Sequence, residues 1–276
     1  MGNIVWVASY PKSGNTWMRV FLGNYLANQD KPVDINAIHT NMFSEANTEH
    51  FEPFLPDGKH TTDLDTLDIC RMRPRVQANI AQNAHGSIFV KTHNFLGEYK
   101  GVPLHNSQVT SGAIFIVRNP LDVAVSMSNY FKYSIDDAIA FMSEEMTGTP
   151  NEFANVPQII SSWSNHARSW TEHNEDNIHV VRYEDMLANP LKVFRKVESF
   201  LNLKKDPKRL RRAIQFSSFD QLKNQENKRG FVEKFEQASH FFNKGKKDQW
   251  RESLNNEQIE KICNEHREMM THFKYL

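Results

Sequence analysis

The sequence predicts an α/β fold, a single domain in which a largely parallel central sheet is flanked by helices. Four short apolar runs, each of the length of a buried strand, alternate along the chain with segments of helical spacing. Polar residues follow each run, as expected where a strand ends in a loop that leads to a helix. The 276 residues suffice for one sizeable core, so we expect one domain over residues 1–276.

Composition argues against several classes of partner. The chain carries 33 basic and 33 acidic residues, so its net charge gives no reason to expect nucleic acid or an anionic membrane as partner. No apolar run approaches the roughly 20 residues of a membrane span. Cys70 and Cys263 are isolated and lack the spacing of a disulfide framework or a zinc site. They fit a reducing compartment, and we therefore expect a cytoplasmic protein.

The first strand leads into the most informative stretch of the sequence. The apolar run 4–8 ends in a polar turn, and apolar residues return with helical spacing from Trp17 onward. Unpaired N–H groups and the positive end of a helix dipole make such a turn a favourable place for an anion. The turn adds charge and donors that suit a phosphate, through Lys12, Ser13, Gly14, Asn15 and Thr16. An ordinary strand-to-helix turn with a Ser or Asn cap is the alternative.

The turn departs from the nucleoside-triphosphate pattern GxxxxGK[ST], because Lys12 precedes Gly14 instead of following it. Residues 10–17, YPKSGNTW, resemble instead the 5′-phosphosulfate loop of the cytosolic-type sulfotransferases, whose pattern is close to YPKSGTTW. These enzymes use 3′-phosphoadenosine 5′-phosphosulfate (PAPS). Asn15 is the single departure, and the resemblance implies a P-loop-like phosphosulfate-binding loop with Trp17 against the adenine.

Residues 34–83 carry no motif. A helix is predicted from Asp63 toward Ala84, and the remainder is polar with scattered apolar residues. The sequence leaves open whether this segment forms the wall of a substrate pocket or only covers the sheet.

The second predicted strand, residues 87–92, ends beside two side chains suited to catalysis. Ligands of open α/β sheets bind at the carboxyl ends of strands, where Lys91 and His93 lie. The run VKTHN resembles the family segment KTHxP, and the resemblance implies that His93 is the catalytic base. Phe95 stands where the family often has Pro.

The third predicted strand, residues 113–117, leads directly into a helix start. Asn119 is the predicted N-cap, and Pro120 suits the first helical position. The run RNPLDVAVS matches the family segment RNPxDxxxS, which implies that Arg118 and Ser126 bind a 3′-phosphate. An ion pair with a nearby carboxylate is the alternative for Arg118.

Two segments follow before the fourth strand. Residues 134–157 contain Gly148 and two prolines, which favours a loop-rich insertion, either a mobile lid or a plain surface loop. Residues 158–173 have apolar residues at steps of three and four, which predicts a helix ending at His173.

The last part of the chain carries three weaker resemblances. The fourth predicted strand, 177–183, precedes a YED segment in which the family Tyr contacts adenine, although Tyr183 could simply close the strand. A basic helix is predicted over 207–222, and its SSFDQL run loosely resembles an adenine contact that would involve Ser217 and Phe219. An amphipathic helix is predicted over 257–270.

Residues 241–251, FFNKGKKDQWR, resemble the family's closing loop FxRKGxxGDWK. The resemblance implies a 3′-phosphate contact through Phe241, Asn243, Lys244 and Gly245. Asn243 replaces a phosphate-binding Arg, so we expect a weaker grip on the phosphate. A solvated basic loop is the alternative.

These resemblances imply a PAPS-dependent sulfotransferase that moves a sulfonate group to a hydroxyl or amine of a small-molecule acceptor by in-line displacement and releases 3′-phosphoadenosine 5′-phosphate (PAP). His93 would remove the acceptor's proton, and Lys12 and Lys91 would stabilise developing charge. The family suggests that Ser126 restrains Lys12 until the acceptor arrives. No metal is expected.

Two rival functions stay open at this stage. A P-loop kinase would use ATP and Mg²⁺, and Mg²⁺ dependence would identify it. A non-catalytic regulatory protein would bind PAP or another nucleotide without turnover, and the departures at Phe95 and Asn243 leave that possible. The sequence names neither the acceptor nor the oligomeric state, and a homodimer stays open.

Overall fold

The computed structural model describes residues 3–40, 42–172, 176–235 and 237–276. Its strands are β1 (Ile4–Ser9), β2 (Ile88–Thr92), β3 (Glu98–Tyr99), β4 (Val102–Pro103), β5 (Thr110–Val117) and β6 (Ile178–Arg182). Four of them form a parallel sheet in the order β2-β1-β5-β6, and β3 and β4 form a separate antiparallel hairpin. The predicted parallel sheet is confirmed, and its four strands are the four apolar runs.

Helices cover both faces of the sheet. In chain order the α-helices of the described residues are α1 (Asn15–Ala27), α2 (Thr66–Gln82), α3 (Pro120–Phe131), α4 (Ile135–Ser143), α5 (Trp163–Ser169), α6 (Tyr183–Ala188), α7 (Pro190–Phe200), α8 (Pro207–Phe216), α9 (Phe219–Arg229), α10 (Asn256–Glu265) and α11 (Arg267–His272). Short 3₁₀ turns occupy much of the chain between α1 and α2. Within these ranges, none of the helices has both the length and the apolar character needed to cross a membrane.

Alternation along the central strands divides the core into two layers. Successive side chains of a strand point to opposite faces, so Trp6 and Val7 of β1 pack on different sides of the sheet. Val7 packs with residues of α1, α6, α7 and α8. Trp6 packs with residues of α2, α3, α4, α5, α10 and α11. Burial on both faces explains why these strands are apolar along their length.

The prediction of a loop-rich segment over 134–157 is wrong for its first part, which forms α4. Ser134 caps this helix by accepting a hydrogen bond from the N–H of Asp137. Ala138, Ile139 and Met142 are buried. Their 3,4 spacing is a helical signal that the prolines and the glycine further along the segment masked.

Other helix predictions have the right type but different limits. The predicted helix 158–173 begins only at Trp163, because Ser161 has a φ of 66° and Ser162 caps the N–H of Asn165. The helix ends at Ser169, earlier than predicted, and the predicted end, His173, lies outside the described residues. The predicted helix 207–222 is two helices, α8 and α9, divided at Ser217 and Ser218, and the predicted helix 257–270 is divided at His266.

A buried carboxylate attaches the segment between α1 and α2 to the end of β2. The N–H of Glu45 donates to Lys91 O at 3.1 Å. The Glu45 carboxylate, only 1% exposed, accepts from Thr92 Oγ1 at 2.6 Å and Arg73 Nη1 at 3.0 Å, and also from the side-chain amide of Asn94. A buried charge needs such partners, and breaking one would be costly. The network therefore fixes the carboxyl end of β2, where Lys91 and His93 lie.

Candidate active site

A cavity of about 1270 Å³ lies at the carboxyl ends of β1, β2 and β5. The site residues predicted from the sequence that line it are Lys12, Gly14, Asn15, Thr16, Trp17, Lys91, His93, Arg118, Ser126, Tyr183, Phe219, Phe241, Asn243, Lys244 and Gly245. Ser13 and Ser217 are the two predicted residues that do not. The topology thus brings together motifs that are far apart in the sequence.

The loop between β1 and α1 forms an uncapped helix N-terminus. Gly14 precedes α1 with a φ of 105°, and a Cβ there would lie 2.7 Å from the ring of Tyr183. This close approach requires glycine. No side chain caps the first turn of α1, so its N–H groups can serve an anion. Ser13 Oγ is buried without a hydrogen-bond partner, which is uncommon for a polar atom inside a protein.

Asn15 does not direct its amide at an anion. Its Nδ2 donates to Val7 O at 2.8 Å and to Ser9 Oγ at 3.3 Å, and its Oδ1 accepts from Arg19 Nε at 3.0 Å. The single departure from the loop motif therefore has an internal role. It links the end of β1 to the buried Arg19 of α1.

Lys12 is held by aromatic rings. Its Nζ lies 3.5 Å from the ring centroid of Tyr130 and 4.2 Å from that of Phe241. Burial, reinforced by the positive charges of Arg118 and Lys91, lowers the pKa of Lys12 to about 7. Among the described residues no hydrogen bond joins Lys12 to Ser126, so the restraint that the family resemblance suggests is not formed in this arrangement.

His93 has a defined tautomer. Its Nδ1 lies 2.7 Å from Ser9 O, and its backbone N–H donates to Gln158 Oε1 at 2.8 Å. Because a carbonyl can only accept, Nδ1 carries the proton and Nε2 is left as an acceptor on the cavity side. Burial lowers the pKa of His93 well below its ordinary value, and the charge of Lys91 lowers it further. The ring is therefore neutral at neutral pH.

Lys91 has an acidic partner that sequence analysis did not single out. Glu233 Oε2 lies 3.5 Å from Lys91 Nζ and 2.7 Å from Arg19 Nη2, and Glu233 Oε1 lies 2.8 Å from Arg19 Nη1. Burial alone would raise the pKa of Glu233, but Arg19 and Lys91 outweigh it and hold this pKa well below its ordinary value. Glu233 comes from the segment after α9, where no motif marks it.

Arg118 joins the loop after β1 to the segment 241–251, which we call the closing loop. Its Nη1 donates to Lys12 O at 2.9 Å and its Nη2 to Lys246 O at 3.4 Å. The guanidinium carbon lies 4.5 Å from the ring centroid of Tyr183. Its Nε is buried and has no hydrogen-bond partner within the part of the chain that the structure describes. No ion pair with a carboxylate involves Arg118 among the described residues.

Two buried carboxylates hold the closing loop. Glu226 accepts from the N–H groups of Phe241 and Phe242 at 2.6 and 3.0 Å. Asp122 accepts from the N–H groups of Asp248 and Trp250 at 2.8 and 3.2 Å. Both carboxylates are long-range partners of the loop, and neither role could be inferred from the sequence.

The remaining predicted residues differ in their placement. Gly245 has a φ of 60°, and any Cβ would collide with the ring of Phe219. Trp17 and Tyr183 pack edge to face with ring centroids 5.8 Å apart, and Trp17 Nε1 has no partner. Ser217 is fully buried and its hydroxyl donates to Ala213 O at 2.9 Å. Its side chain therefore does not face the cavity, as the predicted adenine contact would require.

The open questions about two segments have structural answers. Part of the segment 34–83 forms cavity wall through Phe43, Asn47 and His50, and part of the segment 134–157 does so through Thr149 and Asn155. A search of the described residues finds no cluster of three or more His, Cys, Asp or Glu side chains that could hold a metal.

Comparisons with known proteins agree with the motifs. The sulfotransferase domain model matches residues 3–274. The chain is 25% identical to luciferin sulfotransferase of Photinus pyralis over 79% of this chain and 56% of that protein, and 28% identical to sulfotransferase 1B1 of Mus musculus over 80% and 66%. The matches thus span less than two thirds of these relatives.

The fold is that of a solved sulfotransferase. The crystal structure of mouse sulfotransferase SULT7A1 complexed with PAP aligns with a TM-score of 0.64 at 19% identity, covering 97% of this chain and 84% of that chain. This likeness concerns the fold alone.

Proposed function

The chain belongs to the sulfotransferase-domain family, and we propose that it transfers the sulfonate group of PAPS to a hydroxyl or amine of a small-molecule acceptor. The relatives named sulfotransferases and the fold shared with a PAP-complexed mouse enzyme support this activity. We propose further that the whole chain, 1–276, acts as one domain. A cytoplasmic location is part of the proposal, on the basis of the free thiols of Cys70 and Cys263.

One observation carries the proposal. A neutral His93, with Nδ1 committed to Ser9 O, turns its Nε2 toward the cavity that also holds Lys12 and Lys91. A base and two cations on one cavity wall suit a reaction that removes a proton while negative charge develops on oxygen. A histidine with only a structural role would not need two lysines at the same cavity.

The residues present fit a PAP-type nucleotide. Trp17 and Arg118 both line the cavity, and Trp17 Nε1 and Arg118 Nε are buried donors that have no hydrogen-bond partner among the described residues. The cavity of about 1270 Å³ exceeds the roughly 300–1,000 Å³ of a usual ligand pocket. It therefore has room for a nucleotide and an acceptor together.

The mechanism follows from the placement of the side chains. PAPS supplies a sulfonate whose bond to the 5′-phosphate oxygen breaks as the acceptor's oxygen or nitrogen bonds to sulfur. His93 Nε2 takes the acceptor's proton. Lys12 and the N–H groups at the start of α1 stabilise the charge that develops at the 5′-phosphate end, and Lys91 stabilises charge on the sulfonate oxygens.

The other end of the cavity would bind the 3′-phosphate and the adenine. Arg118, Ser126 and Lys244 are the proposed phosphate ligands, with backbone N–H groups from Asn243 and Gly245. Trp17, Tyr183 and Phe219 are the proposed adenine contacts. Phe241 would act through Lys12, whose Nζ it contacts.

The rival hypotheses are not favoured. A P-loop kinase would need a lysine after Gly14, and the relatives found are sulfotransferases. A regulatory protein without turnover would have no need to keep a desolvated neutral histidine beside Lys91.

Binding of PAP in excess EDTA tests the proposal. Isothermal titration calorimetry should detect PAP binding without metal, and ATP with Mg²⁺ should bind more weakly. Binding of Mg·ATP alone would replace this proposal with the kinase. A screen of labelled PAPS against pooled phenols, alcohols, amines and glycolipids would then identify the acceptor class.

A further inference from the structure

Glu233 occupies the position at Lys91 that the proposed function assigns to the sulfonate group. Its carboxylate bridges Lys91 Nζ at 3.5 Å and the buried Arg19 at 2.7 and 2.8 Å. A carboxylate and a sulfonate are both anions whose oxygens accept hydrogen bonds from cations such as the Lys91 ammonium. We propose that Glu233 is a resident competitor for the sulfonate of PAPS, and that it makes the site discriminate between PAPS and PAP.

The segment that carries Glu233 is hydrogen-bonded to Tyr130, whose ring packs against Lys12. Tyr130 Oη donates to Glu233 O at 2.6 Å and accepts from the N–H of Phe235 at 2.9 Å. The ring of Tyr130 lies 3.5 Å from Lys12 Nζ. Tyr130 therefore contacts Lys12 through its ring and holds the backbone of Glu233 through its hydroxyl, and the carboxylate of Glu233 contacts Lys91. This arrangement holds Glu233 beside Lys91.

The competition follows from charge and space. Lys91 Nζ and Glu233 Oε2 are close enough to attract, and a sulfonate oxygen placed at Lys91 would lie against a like charge. Glu233 must then turn from Lys91 and keep only its bidentate pair with Arg19. PAP has no sulfonate, so Glu233 can stay in place when PAP binds. The cost falls on PAPS alone and favours the product-bound state over the substrate-bound state.

Glu233→Gln tests this inference, which rests on the proposed function. We expect PAPS affinity, measured by calorimetry without acceptor, to rise about 3- to 10-fold, the lower range for a partly exposed charge contact. PAP affinity should stay within about twofold of the wild type, because the variant still offers an oxygen to Arg19. The ratio of the two dissociation constants is therefore the diagnostic quantity.

Glu49→Gln is the matched control. Glu49 also lines the cavity and is exposed, and its only side-chain hydrogen bond among the described residues joins it to Asn47. This variant removes the same charge from the same cavity away from Lys91, so its PAPS-to-PAP ratio should match the wild type. Glu233→Asp serves if the glutamine variant unfolds, since the shorter carboxylate keeps the charge for Arg19 and reaches less far toward Lys91.

The possible outcomes separate the inference from the function. Equal tightening of PAPS and PAP, an unchanged ratio, or weaker PAPS binding in folded Glu233→Gln or Glu233→Asp would overturn the competition. A ratio that shifts equally in Glu49→Gln would do the same, because it would indicate a general charge effect. A wild type that binds neither nucleotide would overturn the proposed function itself.

Discussion

The two loops that Arg118 joins are built in different ways. The loop after β1 owes its shape to its own backbone, with Lys12 at a φ of 64° and Gly14 at 105° directly before α1. The closing loop is held by distant carboxylates, since Glu226 and Asp122 accept its backbone N–H groups. The shape of the first loop thus depends mainly on its own backbone, whereas the shape of the closing loop depends on carboxylates of α9 and α3.

This difference predicts how the loops tolerate change. A local loop that leads into a long helix should keep its shape when distant residues are altered. The closing loop should lose its shape when one buried carboxylate is lost, because two N–H groups then lose their acceptor. Departures from the family motifs follow the same division, with one at Asn15 in the motif of the first loop and two in the closing loop, at Asn243 and at Asp248-Gln249, where the family has Gly-Asp.

The largest expected effect lies beside the first loop, in His93→Ala. Turnover should fall about 10²–10⁴-fold, because the proton acceptor is lost, while PAP still binds. Since the pKa of His93 is already well below its ordinary value, wild-type turnover should not decline near pH 6.5 through protonation of this ring. Measuring kcat, PAP affinity and the thermal midpoint on one preparation decides the matter. Normal turnover in a folded variant would remove His93 from the mechanism.

Arg118→Ala should break the connection between the two loops. Loss of a charge-assisted contact worth about 1.5–3 kcal/mol should raise the PAP dissociation constant on the order of 10- to 150-fold. We expect kcat at saturating PAPS to change far less, because the proposed contact of Arg118 is with the 3′-phosphate, away from the reacting sulfur. Arg118→Lys is the control, since it keeps the charge and loses the fork that reaches Lys12 O and Lys246 O. Collapse of kcat with an unchanged dissociation constant would mean that Arg118 serves the reacting end.

The pH dependence of PAP binding should sharpen the account of the first loop. Burial, with the charges of Arg118 and Lys91, lowers the pKa of Lys12 to about 7, and a bound phosphate should hold the proton on Nζ. Above pH 7 the free protein loses this proton, so binding must take one up and the dissociation constant should rise about tenfold per pH unit. Calorimetry in buffers of different ionisation heat would measure the proton uptake. Lys12→Arg stays charged and should lack this dependence; a flat wild-type profile would contradict the lowered pKa.

The smallest expected effect is a gain in the closing loop. Asn243→Arg restores the cation of the family motif at an exposed position that lines the cavity. We expect PAP affinity to rise about 2- to 10-fold, a modest figure because solvent screens the new contact. Lys247→Arg, a change at an exposed lysine outside the cavity wall, is a control for added guanidinium groups in this loop. Unchanged affinity in Asn243→Arg would indicate that residue 243 points away from the phosphate.

The sequence predicted those parts of the molecule in which neighbours along the chain decide the structure. The four strands and the N-cap at Asn119 follow from local chemistry, and all were found. The breaks at Ser217 and His266 were not predicted, because helical spacing continues through both positions and tertiary packing decides where each helix ends.

The residues of the candidate site also divide into those that the sequence identified and those that only the structure revealed. Lys12, Lys91, His93 and Arg118 could be found because each lies at or shortly after the carboxyl end of a strand, within a recognisable motif. Glu233, Tyr130 and Arg19 could not, since each acquires its role from a partner far away in the sequence. Asn15 was predicted to belong to the anion-binding loop, but it is the first residue of α1, and only the structure reveals that Arg19 and Ser9 occupy its side-chain amide.

The indole of Trp17, whose Nε1 has no hydrogen-bond partner among the described residues, has a practical consequence. Its fluorescence should report whether a nucleotide is bound in the cavity. Of the five tryptophans, Trp17 lies on the cavity wall against Tyr183, and Trp6, Trp163 and Trp170 are fully buried in the core away from the proposed adenine contacts. Trp250 is half-buried in the closing loop, so Trp250→Phe is needed to separate its emission from that of Trp17. A base stacked beside Trp17 would quench its emission and leave the core indoles unchanged. Intrinsic fluorescence can therefore follow nucleotide binding in real time without a label, and Trp17→Phe would assign the signal to this residue.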